Sequence, residues 1–237
     1  MTNKTALITG ASQGLGRELA TALAARGWTL ILDARGEAKL TALEAELTAT
    51  GTSAVATIAG DVADPTHRAA LRDAVETAGG LDLLVNNAST LGATPLPRLE
   101  HLTSDQLTQI FAVNVIAPVL LTQLLLPALR TAGGIVLDLS SDAAVEAYPA
   151  WGGYGASKAA LDHATAVLAV EEPGIAAYAV DPGDMRTAMH ADAFSGEDIS
   201  DRPLPSTVVP ALLHLIDTRP ASGRYRAADL QPAGAVT

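Results

Sequence analysis

The sequence predicts an α/β fold: a doubly wound, parallel seven-stranded sheet with helices on both faces, formed as a single domain of residues 1–237. Two observations carry this. Short runs rich in Val, Ile and Leu recur between longer segments of helical periodicity, as expected of a parallel sheet buried on both faces. A glycine-rich turn joins the first such run to the first helical segment, where an open α/β sheet meets a ligand. With 237 residues and 49% hydrophobic side chains, the chain is long enough to bury a large core.

Composition removes several function classes. A net charge of -11 without clustered Lys or Arg argues against a nucleic-acid or anionic-membrane surface. There is no cysteine, which excludes disulfides and thiol chemistry. His190 has no metal-ligand spacing with the other histidines, so no metal is expected. No apolar stretch with a cleavage site precedes the first strand, and no apolar run is read as approaching the ~18 residues of a membrane span. A soluble, cytoplasmic chain is the expectation.

Residues 5–8 form the first strand, and Thr9-Gly10-Ala11-Ser12-Gln13-Gly14-Leu15-Gly16 turns into a helical pattern over 17–25. Glycines 10, 14 and 16 let the backbone turn tightly and let a pyrophosphate approach the free amides of the helix N-terminus. Residues 28–32 are the second strand. The next three residues, Asp33-Ala34-Arg35, should meet an adenosine ribose, because the first crossover returns the chain beside strand one. A carboxylate suits the ribose hydroxyls of NAD, whereas a guanidinium pairs with the 2′-phosphate of NADP. Helix 39–48, strand 54–58 and helix 66–78 come next, with Asp61-Val62 placed to grip an adenine.

The fourth strand, 81–85, ends in Asn86-Asn87-Ala88-Ser89, small polar residues able to bond backbone on both sides of a cofactor. Residues 95–101 read as loop, and 104–126 as a long helix apolar on more than one side, with Phe111, Val115, Val119 and Leu121 set among Ile110, Ile116 and Leu125. One face packs on the sheet and the other wants a partner, so a homodimer or homotetramer is expected. Asn114 lies in that apolar setting and must bond something, fixing a kink or a water. Strand 135–139 delivers Ser140 and Ser141, a helix runs from Tyr154 to about 170, and strand 176–180 leads to Pro182-Gly183. A loop to 202, a helix over 208–216 and a strand over 223–227 complete the chain.

Ser141, Tyr154 and Lys158 place a hydroxyl, a phenol and an ammonium in one short reach. Four residues apart on a helix, Tyr154 and Lys158 share a face. A free phenol titrates near ~10, and a neighbouring ammonium favours its anion. A phenol so tuned gives a proton to a carbonyl oxygen being reduced or takes one from an alcohol being oxidised. The Ser141 hydroxyl could hold that oxygen.

These motifs together make the chain resemble the classical short-chain dehydrogenase/reductase family over essentially its whole length. Thr9 to Gly16 fits the family's Thr-Gly-x-x-x-Gly-x-Gly turn, Asn86-Asn87-Ala88 its Asn-Asn-Ala-Gly strand end, and Pro182-Gly183 with Thr187 its Pro-Gly-x-x-x-Thr segment. Asn114, Ser141, Tyr154 and Lys158 fall at its four catalytic positions. The resemblance implies a Rossmann-like fold and an NAD(P)-dependent hydride transfer between nicotinamide and a carbonyl or secondary alcohol. It further implies Tyr154 as general acid/base, Lys158 lowering its pKa and holding the nicotinamide ribose, Ser141 orienting the carbonyl, Asn114 anchoring a relay water, and Thr187 bonding the carboxamide. Ala34 falls where NAD-preferring relatives carry Asp, and Arg35 where NADP-preferring relatives carry a base. NADP(H) is therefore expected over NAD(H), with Asp33 still in reach of a ribose.

The departures are Ser89 for the last Gly of Asn-Asn-Ala-Gly, and Asp138 and Asp181 where Asn is common. Trp151, Tyr148, Met185, Met189 and Phe194 are expected to line a largely apolar small-molecule substrate pocket, under a lid at about 184–205. The alternative is a non-catalytic NADP(H)-binding sensor on the same fold. The intact Tyr, Lys, Ser and Asn set argues against it, since a sensor has no need to tune a phenol.

Overall fold

The computed structural model describes residues 4–49 and 54–230. The chain enters at the middle of the sheet with β1 (Thr5–Ile8), steps outward through β2 (Thr29–Ala34) to β3 (Val55–Ala59), then returns to the other side of β1. There β4 (Leu83–Asn86), β5 (Ile135–Leu139), β6 (Ala176–Asp181) and β7 (Gly223–Arg226) are laid down in sequence. The seven strands are all parallel in the order β3-β2-β1-β4-β5-β6-β7. The order reverses at β1 and β4, which opens a crevice at their C-terminal ends.

Every residue of β1, β4 and β5 is buried, because helices cover both faces. Alternate side chains serve the two layers. Leu7, Ile31, Leu84 and Val136 pack with α3 (Pro65–Ala78) and α5 (Ala117–Ala132). Ile8, Leu30, Leu32, Val85 and Leu137 pack with α1 (Gly14–Ala25), α2 (Glu37–Ala49) and α8 (Val209–Thr218).

Several boundaries differ from the periodicity. α1 begins at Gly14 rather than 17, since glycines carry no hydrophobic signal. β2 continues through Asp33 and Ala34, paired with Ile58 and Ala59; a polar Asp33 hides the strand's continuation. β4 starts two residues late and keeps Asn86, whose amide bonds Asp138 on the neighbouring strand. α3 begins where Pro65 and the Asp64 side chain, which accepts from the Thr66 amide at 2.8 Å, cap it, and ends at Gly79 with φ 85°. α6 (Gly152–Glu171) opens two residues before Tyr154. A short α7 (Ala188–Ala193), capped by Thr187, occupies part of what reads as loop.

The long apolar segment is three pieces: α4 (Ser104–Phe111), a π-helical turn (Ala112–Ile116) and α5. Pro118 has no N–H for the carbonyl of Asn114, and the ladder slips to i→i−5, with the Ala117 amide on the Ala112 carbonyl. The helical stretch Ser104–Ala132 is longer than the sequence reading and has a window of mean hydropathy 2.0. By length and apolarity it matches a membrane span, which corrects the reading that no run approaches that length. Here Leu121, Leu125 and Leu129 are buried against the sheet, while Leu107, Ile116 and Val119 remain exposed.

Candidate active site

The glycine turn is stapled to the end of β4. The Asn87 side-chain amide donates to the carbonyls of Thr9 (2.8 Å) and Gly10 (3.0 Å), and the Thr9 hydroxyl accepts from the amides of Asn87 (3.1 Å) and Ala88 (3.0 Å). Gly10 has φ 64° and Gly14 φ 59°, the region that favours glycine. A Cβ on Gly16 would stand 2.5 Å from Asn87 Nδ2 and 2.8 Å from the Gly10 carbonyl. Gly16 thus serves packing rather than the approach of an anion. The N-terminus of α1 has no side-chain cap, because the Gln13 side chain accepts from Lys39 Nζ at 2.8 Å. Its first amides therefore remain available for phosphate.

A cavity of about 720 Å³ runs from Arg35 and Asp61 past this turn to Tyr154 and Lys158. Its wall includes Gly10, Ser12, Gln13, Gly14, Leu15, Arg35, Asp61, Val62, Asn87, Ala88, Pro182 and Thr187. Asn114, Ser141, Gly16 and Gly183 lie outside the wall. Gly183 is turned by its own loop, its amide donating to Asp181 Oδ1 at 2.9 Å. Thr187 borders the cavity, but its hydroxyl accepts from the His190 amide at 3.1 Å. Lys39 and Arg17 join Arg35 around the adenosine end. Sequence reasoning missed both, since each reads as the start of an amphipathic helix. Arg17 pairs with Glu46 at 2.6 Å, whereas the Arg35 guanidinium has no ion-pair partner among the described residues.

Asp33 is engaged inside the protein rather than free for a ribose. It is 1% exposed, and its Oδ1 lies 2.6 Å from Nε2 of the buried His67. A Cβ on Gly60 would collide with that imidazole, so the glycine makes room for the pair. Burial pushes the Asp33 carboxyl up while the His67 hydrogen bond opposes the rise. The same bond to Asp33 raises His67 above its ordinary value.

At the other end, α6 approaches the loop after β5 so closely that a Cβ on Gly155 would stand 2.5 Å from the Ala143 carbonyl. This brings Tyr154 and Lys158, 9% and 2% exposed, against Leu139 and Ser141. Lys158 Nζ donates to the Leu139 carbonyl at 2.6 Å and lies 5.6 Å from the Tyr154 ring centroid. Burial pushes the Tyr154 phenol up to about 12, against the hydroxyls of Ser89 and Ser141, which favour the anion. Burial also pushes Lys158 down to about 8, with Asp138 and Asp162 opposing. The phenol lowered by its ammonium neighbour, expected from sequence, is not found in this state: desolvation dominates, and the ammonium is engaged by Leu139.

The Ser141 hydroxyl donates to Asp142 Oδ1 at 2.9 Å, and the Ser141 carbonyl accepts from Arg224 Nη2 at 2.9 Å. Arg224 also reaches Asp162 Oδ2 at 2.9 Å, tying β7 to α6 and the serine loop. Asn114 is 1% exposed and saturated: its Oδ1 accepts from Ser89 Oγ (3.1 Å) and the Thr90 amide (2.8 Å), and its Nδ2 donates to the Thr90 carbonyl (2.9 Å) and Ser157 Oγ (3.0 Å). The side chain is therefore a clamp, with no position left for the expected water. Asp138 is a scaffold between Asn86 (2.7 Å) and Thr165 (2.6 Å).

The substrate side is apolar. Leu91, Leu96, Trp151, Met189 and Ala193 pack around Tyr154, with Trp151 edge-on to Tyr154 at 5.5 Å and Phe194 5.9 Å beyond it. Met185 lines the cavity. Tyr148 does not; its hydroxyl is held by Asp142 (2.9 Å) and Glu146 (2.8 Å). Arg186 borders the cavity, but its guanidinium binds the carbonyls of Ser200 and Arg202, lacing the 184–205 segment to itself.

A family profile described as short chain dehydrogenase matches residues 4–198. The chain belongs to the short-chain dehydrogenase family. It is 34% identical over 226 residues to the uncharacterized oxidoreductase YciK of Escherichia coli K12, covering 92% of this chain and 88% of that one. Among solved structures, a protein of Escherichia coli CFT073 assigned to the short-chain dehydrogenases and complexed with NADPH superposes with a TM-score of 0.87, at 30% identity and 98% coverage of both chains. The alcohol dehydrogenase of the archaeon Thermococcus sibiricus, complexed with 5-hydroxy-NADP, superposes with a TM-score of 0.85, at 26% identity and 94% and 95% coverage. This short-chain dehydrogenase is thus an oxidoreductase by family, and its fold is that of the family.

The Asp33–His67 pair has a consequence for stability. His67 holds its proton more tightly when folded, so its contribution is fully present below the unfolded histidine value, near ~6.5, and is lost as pH rises through its raised value; the raised Asp33 carboxyl acts in the same direction but over a lower window that begins at the ordinary aspartate value of 3.8. Thermal unfolding across pH 6 to 9 should show this decline, and His67→Gln should flatten it. Parallel curves for the two proteins would refute the assignment.

Proposed function

We propose that this protein is an NADP(H)-dependent reductase or dehydrogenase that interconverts a ketone or aldehyde with an alcohol, with Tyr154 as general acid/base. One observation carries the reading: a phenol and an ammonium line one end of a cavity, with the Ser141 hydroxyl acting on the phenol, and the other end presents the Arg35 guanidinium, which has no ion-pair partner among the described residues. The α1 N-terminus fits a pyrophosphate, and Arg35 with Lys39 fits a 2′-phosphate. NADP(H), when bound, supplies or accepts the hydride. The NADPH and 5-hydroxy-NADP held by the Escherichia coli CFT073 and Thermococcus sibiricus proteins support this choice of cofactor.

In the reducing direction Tyr154 releases its proton to the nascent alkoxide. Its position at a pKa of about 12 keeps it protonated at neutral pH, the form this step requires. Ser141 turns its hydroxyl from Asp142 to the substrate oxygen and holds it against the phenol. Lys158 supplies the local positive charge that offsets the phenolate, and its ammonium can leave the Leu139 carbonyl for a ribose hydroxyl. The relay water falls to the Asn114 carbonyl, which has no i+4 donor because residue 118 is proline. Trp151, Met189 and Phe194 favour an apolar substrate body, and the 184–205 segment acts as a lid. The exposed Leu107, Ile116 and Val119 offer the α4–α5 face to a second copy of the chain.

Tyr154→Phe should lower kcat for carbonyl reduction by about 100-fold or more while NADPH affinity, read by fluorescence, stays within about twofold of the parent. Retained turnover would sink the acid–base assignment. Loss of Arg35 removes a charge-assisted bond, so Arg35→Ala should weaken NADPH about 10- to 100-fold and leave NADH nearly unchanged; equal effects on both would count against the 2′-phosphate site. Light scattering at micromolar concentration should report a homodimer or homotetramer, and a clean monomer would remove the proposed interface.

A further inference from the structure

Ser89 stands where the family motif has glycine, and its side chain belongs to the working part of the site. It lies in the cavity wall with Tyr154 and Lys158, and donates its proton to Asn114 Oδ1 at 3.1 Å. Two serine hydroxyls, Ser141 and Ser89, act on the Tyr154 phenol, each favouring its anion. They are not equivalent. Ser141 donates to the half-buried Asp142 and must turn toward the substrate oxygen, whereas Ser89, just past β4, is held on Asn114 in the cavity wall.

The Asn114 acceptor is shared. Its Oδ1 also receives the Thr90 amide at 2.8 Å, so the Ser89 proton can leave without orphaning a buried oxygen. When the phenol gives its proton to substrate, the phenolate needs a donor, and rotation about one Ser89 bond provides it. No covalent bond changes at Ser89: the proton lost by Tyr154 goes to the substrate oxygen, and the Ser89 O–H only exchanges one acceptor for another.

We propose that Ser89 is a positioning hydroxyl that swings from Asn114 to the Tyr154 oxygen and stabilises the phenolate formed during turnover. The proposal rests on the acid–base reading of Tyr154, and the two are separable by experiment. Protein labelled with 13C at the tyrosine ζ carbon is titrated from pH 6 to 11 with NADP+ bound, whose cationic nicotinamide favours the phenolate and lowers the phenol from about 12, the Tyr154 signal being assigned by its absence in Tyr154→Phe. In Ser89→Ala the signal should begin to move about 1–2 pH units later than in the parent, the size expected for one hydrogen bond to a charged group. Ser89→Thr, which keeps the hydroxyl, should restore the parent curve. Superimposed curves for the parent and Ser89→Ala, or a parent signal that never moves, would overturn the proposal. Turnover retained by Tyr154→Phe overturns the acid–base reading instead, whatever the titration shows.

Discussion

The arrangement of the site depends on one buried amide. Asn114 makes four hydrogen bonds, to Ser89, both backbone groups of Thr90 and Ser157, and these join three separate elements. An unpaired amide in such a place costs on the order of 2–7 kcal/mol, so the loop after β4, the π turn and the first turns of α6 are held in one geometry. Ser157 closes the circuit by donating to the Tyr154 carbonyl at 2.6 Å. The phenol is thereby placed by a chain of bonds that begins on a different helix. The π turn is part of the same device, because the slipped ladder at Ala112–Ile116 sets Asn114 inward while α5 keeps Leu121 and Leu125 on the sheet.

What can be read in the sequence is mostly what is local in it. Tyr154 and Lys158 share a helix face, and the glycine turn comes directly after β1, so spacing alone places them. The sheet order is legible from alternation and from the rule that crossovers keep one hand. Pairings between distant residues carry no such signal. Nothing in the run that makes β2 announces that Asp33 will meet His67, 34 residues on, and nothing near Ser141 announces Arg224. Gly60 holds a hint, since a glycine after an edge strand and outside a turn motif often marks a side chain that must fit against backbone. The ends of α1 and β2 escape the pattern for the opposite reason: glycine and a satisfied aspartate are silent to hydrophobic periodicity.

The site's protonation is governed by burial more than by the neighbouring charges. Tyr154 rises from 10.0 to about 12 and Lys158 falls from 10.5 to about 8, both toward their neutral forms. Two pH units correspond to roughly 3 kcal/mol, more than a single hydroxyl contributes to an anion at the low end of its range. The consequence is directional. At neutral pH the phenol holds its proton, and a phenolate at this position has to be supported by groups that act only once it forms.

Asp138 shows how the remaining positive charge is kept in so dry a place. Burial raises its own pKa, while Thr165, Asn86 and the charge of Lys158 pull it back. Asp138 in turn is the largest influence holding Lys158 protonated against desolvation. An asparagine, common at this position in the family, could keep the bond to Thr165 but would bring no charge. The carboxylate therefore joins two functions in one side chain: its oxygens bridge β4 and α6 through Asn86 and Thr165, and its charge sustains an ammonium 2% exposed beside the phenol. Asp162 shares this task, its charge also holding Lys158 protonated. Of the three departures from family habit, Asp138 thus sustains the cation near Tyr154, and Ser89 stands in the cavity wall with the phenol.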